Sequence, residues 1–236
     1  LLYRKGLVSP ARERLLVNVP ENGIAGRLAE NVWSGVPDLL SSLKGDVSDA
    51  WRRHVACRLA ESGDPSLSGA SGLAASEIRS DTGEIVFDRS AKGGETLQVN
   101  APAARLLIGA AGGREFQLGD VRLSVAKGTL RDYADIALVA LDAKPVAESR
   151  KLLLTAVARV ENKGQKWDAK RTYVANDWGE GPTLAEPVRL TLTLPGEGWQ
   201  ARALDGKGRA GVAVAMDGAR LTTLPAHATL WYVITR

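Results

Sequence analysis

Hydrophobic and polar residues alternate along the chain from about residue 76 onward. Residues 121–125 are Val-Arg-Leu-Ser-Val, and residues 188–194 are Val-Arg-Leu-Thr-Leu-Thr-Leu. A period of two places all the apolar side chains of such a run on one face of a β-strand. These segments therefore predict antiparallel strands that each turn one face to a core and the other to water.

Turn residues separate the alternating runs. Asp217-Gly218 predicts a hairpin between residues 212–215 and 220–223, because Asp-Gly suits the positive φ angles of a tight two-residue turn. Residues 81–83, 118–120 and 195–198 carry Gly with Asp or Pro and predict similar turns. The spacing of these signals indicates roughly ten or more strands.

Residues 134–161 are more apolar than the rest of the chain. Their two hydrophobic runs flank Asp-Ala-Lys-Pro at residues 142–145, a sequence typical of a turn. We expect this pair to form a long hairpin in the middle of a sheet, with strands covered on both faces.

The first 75 residues follow a different pattern. Residues 12–19 predict a strand that ends at Pro20, and residues 34–43 predict a short helix that ends at Gly45. Residues 51–59 fit both a strand and a helix face, and we favour the strand. Residues 62–72, rich in Ser, Gly and Asp, predict a loop or linker.

These elements together predict an all-β fold. We expect an antiparallel β-sandwich, immunoglobulin-like or jelly-roll-like, with a short helix near the N-terminus. Residues 76–236 would form the sandwich, and residues 1–75 would form a connecting segment with one or two strands.

Composition and charge exclude several classes of function. The 31 basic and 27 acidic residues are scattered, and their net charge of +4 does not form a nucleic-acid footprint. No apolar run is long enough for a membrane span, so neither nucleic acid nor a membrane is an expected partner. The single Cys57 allows no internal disulfide or multi-cysteine metal site, and we expect it to be a small buried hydrophobe.

The start of the chain suggests that it belongs to a longer polypeptide. The sequence begins with Leu1, and its only methionine is Met216. We therefore expect a further segment upstream.

No catalytic, metal-binding or cofactor-binding constellation emerges from the residue pattern. A glycosidase needs two carboxylates across a sugar-sized gap. Glu84 and Asp88 share a strand face but lie about 13 Å apart along it, too far for a retaining pair. Asp81 is expected to be a turn residue, and the only two histidines, His54 and His227, are 173 positions apart in sequence. We assign no catalytic residue, no metal and no cofactor.

One polar segment has the composition of a carbohydrate-binding surface. Trp167, Asp177, Trp178 and Glu180 lie among polar and glycine residues in a predicted loop. Sugar rings stack on aromatic faces while carboxylates accept hydrogen bonds from hydroxyl groups. The alternative is that one or both tryptophans pack against the sandwich edge or a neighbouring domain.

The remaining tryptophans lie in strand-like patterns. We expect Trp199 and Trp231 in the core, together with Trp51 if its segment is a strand.

Several segments resemble a known class of domain. Ser-Asp-Thr-Gly-Glu-Ile-Val-Phe-Asp at 80–88, followed by Thr-Leu-Gln-Val-Asn-Ala-Pro at 96–102, is similar to a segment of the C-terminal β domains of large bacterial glycoside hydrolases. The runs at 136–162, 181–188, 203–208 and 229–236 resemble the same domains, and residues 1–11 resemble the link that leaves their catalytic barrel. The likeness is weak between residues 20 and 75.

The resemblance implies a function for the chain. It would be the non-catalytic C-terminal β-sandwich of a polysaccharide-degrading enzyme whose catalytic carboxylates lie on an upstream (β/α)8 barrel. Its partners would be that barrel and a polysaccharide or oligosaccharide, and its location secreted or periplasmic. Two alternatives remain open at this point: an independent carbohydrate-binding module, and a self-contained polysaccharide hydrolase or lyase.

Overall fold

The structure is a computed structural model that describes residues 5–20, 46, 48–60, 66–68, 76–90 and 93–236. The chain divides into two compact units, Leu1–Ser90 and Ala91–Arg236. The hairpin at residues 77–88, which the sequence grouped with the sandwich, falls in the first unit. The predicted helix at 34–43 and most of the predicted linker at 62–72 lie outside the described residues.

A three-stranded sheet forms part of the first unit. Its strands are β1 (Arg14–Pro20), β2 (His54–Ala60) and β3 (Ser66–Ser68). The order is β2-β1-β3, with β1 parallel to β2 and antiparallel to β3. Leu15, Val17 and Val19 are buried because the apolar residues of β1 alternate. The strands predicted at 12–19 and 51–59 are thus confirmed, the second in its later part.

Trp51 and Cys57 do not occupy the core positions expected of them. Trp51 lies in the helical turn α1 (Asp49–Arg52) and is 42% exposed, with its ring 5.6 Å from that of Phe87. Because β2 begins only at His54, the strand alternation that would bury Trp51 does not reach it. Cys57 is exposed because the buried cluster of this sheet is built on β1, and β2 adds only the half-buried Val55 to it among the described residues.

The second unit is an antiparallel β-sandwich, which confirms the predicted fold class. Within this unit, the first sheet has the order β15-β14-β18-β11-β10-β7-β6, and β12 also pairs with β11. The second sheet has the order β16-β17-β13-β9-β8. The strand bounds are β6 Thr96–Ala101, β7 Ala104–Ala110, β8 Glu115–Leu118, β9 Val121–Val125, β10 Tyr133–Ala140, β11 Lys151–Lys163, β12 Glu180–Pro187, β13 Leu190–Thr193, β14 Gln200–Leu204, β15 Ala210–Val214, β16 Met216–Asp217, β17 Arg220–Thr222 and β18 Trp231–Thr235. The first unit also contains a hairpin of β4 (Glu77–Arg79) and β5 (Ile85–Asp88).

Alternating apolar residues of both sheets form the core. Leu138 faces Leu154 across the β10–β11 pair, and Leu123 faces Leu192 across β9 and β13; all four are at most 2% exposed. The predicted central hairpin is confirmed, since β7 and β18 flank β10 and β11. Its second row, which includes Leu153, is half-buried rather than fully covered.

Two turns connect different elements from those the sequence suggested. Asp217 pairs with Arg220, so the turn is Gly218-Ala219. The chain leaves the first sheet after β15 and enters the second at β16, so residues 212–215 do not pair with 220–223. Residues 195–198 likewise cross between sheets, whereas Gly119-Asp120 joins β8 to β9 as predicted.

The two tryptophans expected in the sandwich core differ in burial. Trp199 is 4% exposed, as predicted. Trp231 is only half-buried, because its register against Thr155 places it in the outer row of the sheet.

Candidate functional site

The predicted carbohydrate-binding residues lie in one hairpin, on the long connection between β11 and β12 and at the start of β12. The two strands pair antiparallel from Val157–Pro187 to Lys163–Glu180, with two irregularities in register. Residues 164–179 form the loop that joins them. We call this segment the aromatic loop, since it carries Trp167, Tyr173 and Trp178.

The base of the aromatic loop is held by hydrogen bonds across the hairpin. The Asn162 side-chain amide donates to the Trp178 carbonyl (3.1 Å) and accepts from the Thr183 hydroxyl (3.0 Å). The Lys166 backbone N–H donates to the Asp177 carbonyl (3.0 Å). Gly179 has φ of 67°, and a Cβ there would lie 2.4 Å from the Lys163 carbonyl oxygen, so only glycine fits.

Asp168 organises the tip of the aromatic loop. Its carboxylate accepts from the backbone N–H and hydroxyl of Thr172 and from the Tyr173 N–H, at 2.6–3.1 Å. These bonds, with the Thr172 N–H first, lower the pKa of Asp168 below its ordinary value. The loop therefore has a defined backbone before any ligand arrives.

Trp167 is part of the framework rather than a free binding surface. Its indole N–H donates to Glu161 Oε2 (2.9 Å), and Arg171 donates to the same oxygen (2.6 Å). The Arg171 guanidinium also lies over the Trp167 ring, 5.3 Å from its centroid, and so occupies one ring face. One ring face and the indole N–H of Trp167 therefore already have partners within the chain.

Two other aromatic side chains of the loop are open to solvent. Trp178 is 61% exposed and Tyr173 is 65% exposed. Large aromatic groups with this exposure on a well-bonded loop suit stacking against the C–H face of a pyranose. The two predicted tryptophans thus have different surroundings, and the structure adds Tyr173.

The predicted acidic residues also differ. Asp177 forms an ion pair with Lys166 (2.6 Å), both largely exposed, and this pairing raises the pKa of Lys166. Glu180 is exposed at the start of β12, and its carboxylate contacts no hydrogen-bond donor in the described part of the chain. Glu180 is therefore the freer acceptor for a sugar hydroxyl.

Sequence reasoning missed Tyr173 and Arg171, and it considered Glu161, with Glu148 and Glu186, only as a carboxylate with a possible catalytic role. Tyr173 follows Lys-Arg-Thr in the same polar loop, and its position between the two tryptophans was a usable signal. Nothing in the sequence pairs Glu161 with residues six and ten positions later, because that contact depends on how the loop folds back.

Three carboxylates outside the aromatic loop have structural hydrogen bonds. Glu84 accepts from the Ser9 N–H (2.7 Å) and hydroxyl (2.6 Å), and Asp81 accepts from the Glu13 N–H. Asp142 accepts from the Ser149 hydroxyl (2.8 Å) and the Arg150 N–H (3.0 Å). These contacts give each side chain a role in holding turns and chain segments.

Asp135 has a perturbed acidity with a simple cause. It lies in the half-buried row of β10, between Ile108 of β7 and Val157 of β11. Burial raises the pKa of its carboxyl. Burial and this carboxylate also raise the pKa of Tyr133, which lies two residues earlier on the same strand.

The described residues contain no group of three or more His, Cys, Asp or Glu side chains placed to hold a metal ion. None of their helices has the length and apolar character needed to cross a bilayer.

Comparison with known proteins identified no relative. No family model, no curated protein and no solved structure matches the chain.

Proposed function

We propose that the chain is the non-catalytic C-terminal β-sandwich of a bacterial polysaccharide-degrading glycoside hydrolase. In this proposal the sandwich supports an upstream (β/α)8 catalytic domain, and the aromatic loop borders the substrate cleft. The observation that carries the binding role is the exposure of Trp178 and Tyr173 on a loop with a bonded backbone.

The hydrogen bonds of Glu84 support a structural use of the family-like segments. Glu84 belongs to the segment at 80–88, and Ser9 belongs to the segment at 1–11. The two hydrogen bonds between these residues tie together two of the stretches on which the resemblance rests. A supporting domain uses its polar residues in this way.

The aromatic loop would bind sugar by a preformed platform. Trp178 supplies a stacking face, and Glu180 supplies a carboxylate acceptor for hydroxyl groups. Because Asn162, Asp168 and Gly179 already order the backbone, little conformational entropy is lost when a sugar binds. The platform recognises a chain of sugars without changing a covalent bond.

A set of loop variants tests the binding role. Trp178→Ala should weaken binding of the polysaccharide that the original chain binds by about tenfold, which corresponds to roughly 1.4 kcal/mol. Tyr173→Ala should weaken this binding less, because a phenol ring offers a smaller stacking face than an indole ring. Leu184→Ala is the control, since Leu184 is 49% exposed on the same hairpin but outside the loop. Affinity electrophoresis against a panel of neutral and acidic polysaccharides, followed by calorimetry, measures these effects.

The same variants separate the three functional hypotheses. If Trp178→Ala lowers kcat/KM on polymer in the enzyme that contains the barrel, and the chain without the barrel does not bind polysaccharide, the loop borders the cleft. If the chain without the barrel binds polysaccharide as tightly as the enzyme with the barrel does, the chain is an independent carbohydrate-binding module. Cleavage of polysaccharide by the isolated chain would contradict the non-catalytic role. Equal binding by Trp178→Ala and the control would contradict the platform.

A further inference from the structure

Acidic residues flank Trp178, the exposed tryptophan of the aromatic loop. Asp177 directly precedes Trp178, and Glu180 follows it after Gly179. Because consecutive Cα atoms are about 3.8 Å apart, the Cα atoms of both acidic residues lie within about 8 Å of the Trp178 Cα atom. Asp177 and Glu180 are both exposed. A sugar that stacks on Trp178 therefore lies close to two carboxylates.

The basic residues of this hairpin are matched by acidic ones. Residues 161–180 contain four acidic and four basic residues. The Lys166 amine pairs with the Asp177 carboxylate (2.6 Å), and the Arg171 guanidinium pairs with the Glu161 carboxylate (2.6 Å). The hairpin therefore has no surplus of positive charge that would attract an anionic polymer.

The tip of the aromatic loop has the same balance of charge. Lys170 follows Asp168 by two residues. Arg131, from the turn before β10, donates a hydrogen bond to the Lys170 carbonyl and directly precedes Asp132. Each of these two basic residues thus has an acidic residue within two positions in the sequence.

Lys163 and Glu180 form a polar pair at the base of the loop. They are Cα partners of β11 and β12, at the end of the pairing and after an irregularity in register. Opposed side chains in antiparallel strands begin about 4.5–5.5 Å apart at their Cβ atoms. Both residues are exposed, and no ion pair joins the Lys163 amine to the Glu180 carboxylate in the described part of the chain. A cationic donor and an anionic acceptor therefore lie side by side.

We propose that the aromatic loop binds a neutral polysaccharide and that Lys163 and Glu180 together select for it. This inference rests on the proposed sugar-binding function and deepens it by naming the class of ligand. Neighbouring hydroxyl groups of a neutral pyranose can both donate and accept hydrogen bonds. One hydroxyl donates to the Glu180 carboxylate, and the next accepts from the Lys163 amine.

An acidic polysaccharide fits the same site less well. Its carboxylate or sulfate groups would approach Glu180 as like charges and could not donate a hydrogen bond to it. The Lys166 amine cannot offset this repulsion, because it is already paired with Asp177. Repulsion over this range weakens binding about fivefold at low ionic strength and is screened as salt is added. The affinity of a neutral ligand has no such dependence on salt.

Binding measurements with defined polymers test the class of ligand. The neutral probes are a β-1,4-glucan, a β-1,4-mannan and a galactan, and the acidic probes are polygalacturonate and a sulfated galactan. Affinity electrophoresis and calorimetry are carried out on the 236-residue chain and on the enzyme that contains the barrel. We expect Trp178-dependent binding of at least one neutral polymer, with an affinity that changes less than about twofold between roughly 20 and 300 mM salt.

Substitutions of the polar pair test its role in selection. Glu180→Gln and Lys163→Gln should each weaken neutral binding about threefold, because a charge-assisted hydrogen bond becomes a neutral one. Glu180→Lys should weaken neutral binding at least about tenfold and introduce salt-sensitive binding of acidic polymers. Glu148→Gln is the control, since Glu148 is an exposed glutamate between β10 and β11, at the opposite end of β11 from the loop. Thermal melts check that every variant is folded.

The possible outcomes distinguish this inference from the sugar-binding function on which it rests. Binding of acidic polymers alone, lost in Trp178→Ala, would leave the sugar-binding role in place and overturn the neutral class. Equal neutral binding by Glu180→Lys and the control would overturn the role of the polar pair. Absence of binding to every polymer by both proteins would overturn the sugar-binding function itself, and the neutral-ligand inference with it.

Discussion

Replacing Arg105 with methionine should destabilise the sandwich more than any surface charge change. Arg105 is 7% exposed and lies on β7 in the first sheet, opposite Leu138. Its guanidinium donates to the Leu118 carbonyl (2.9 Å) and to Asp120 Oδ1 (2.9 Å), both in the β8–β9 hairpin of the second sheet. It also donates to the Ala101 carbonyl at the β6–β7 turn. One side chain therefore joins turns from both sheets.

The size of the effect follows from what methionine leaves behind. Methionine keeps the apolar stem of the side chain but removes the guanidinium donor from the buried carbonyl groups of Ala101 and Leu118. Removing one partner of a buried charged pair costs about 3–5 kcal/mol. The Asp120 side chain is 32% exposed and regains water, so we expect the lower end, about 3 kcal/mol. For a domain of this size the melting temperature should fall by roughly 6–12 °C.

Urea unfolding and differential scanning calorimetry measure this change. Arg122→Met is the control, because Arg122 is also an ion-paired arginine of this unit but its side chain is 61% exposed. That variant should differ from the original by less than about 0.5 kcal/mol. If Arg105→Met costs no more than Arg122→Met, the idea that Arg105 links the two sheets is wrong.

Two further substitutions test local features of the fold. Gly179→Ala should lower the free energy of unfolding by about 2 kcal/mol and weaken sugar binding, because its Cβ would clash with the Lys163 carbonyl. Gly164→Ala is the control, since Gly164 has a similar φ of 75° but open space around it, and it should cost less stability in thermal melts. Equal losses in the two variants would refute the clash. Hydrogen bonds from the Arg150 N–H and then the Ser149 hydroxyl lower the pKa of Asp142 below its ordinary 3.8. The stability that the ionised Asp142 carboxylate adds to the fold is therefore complete above pH 3.8 and is lost as the pH falls through the folded-state pKa of Asp142. Asp142→Asn should reduce stability at neutral pH and make stability fall less steeply as the pH is lowered, as measured by acid unfolding followed by circular dichroism. An unchanged dependence of stability on acidic pH would argue against this linkage.

The sequence alone determined the fold class and many strands. Residues 121–125 and 188–194 alternate with a period of two, and the structure contains β9 and β13 there. This pattern is local, since successive side chains of an extended chain must point to opposite faces. The turn at Gly119-Asp120 was equally predictable, because its φ requirements belong to a few adjacent residues.

The sequence also predicted the aromatic loop, but it did not show that Trp167 and Trp178 have different surroundings. Trp167 and Trp178 have similar polar neighbours in sequence. Only the folded hairpin brings Glu161 to the Trp167 indole while leaving Trp178 exposed. Register and bulges between β11 and β12 decide that contact, and no local preference specifies them.

Tertiary structure alone decided which charged residue enters the core and which strand remains open. Arg105 follows Ala104 in an ordinary strand pattern, and its burial depends on carbonyl groups from a distant hairpin. β15 resembles a core strand in composition, yet among the described strands it pairs only with β14. Both outcomes depend on pairing between segments far apart in sequence, whereas alternation and turn chemistry act between near neighbours.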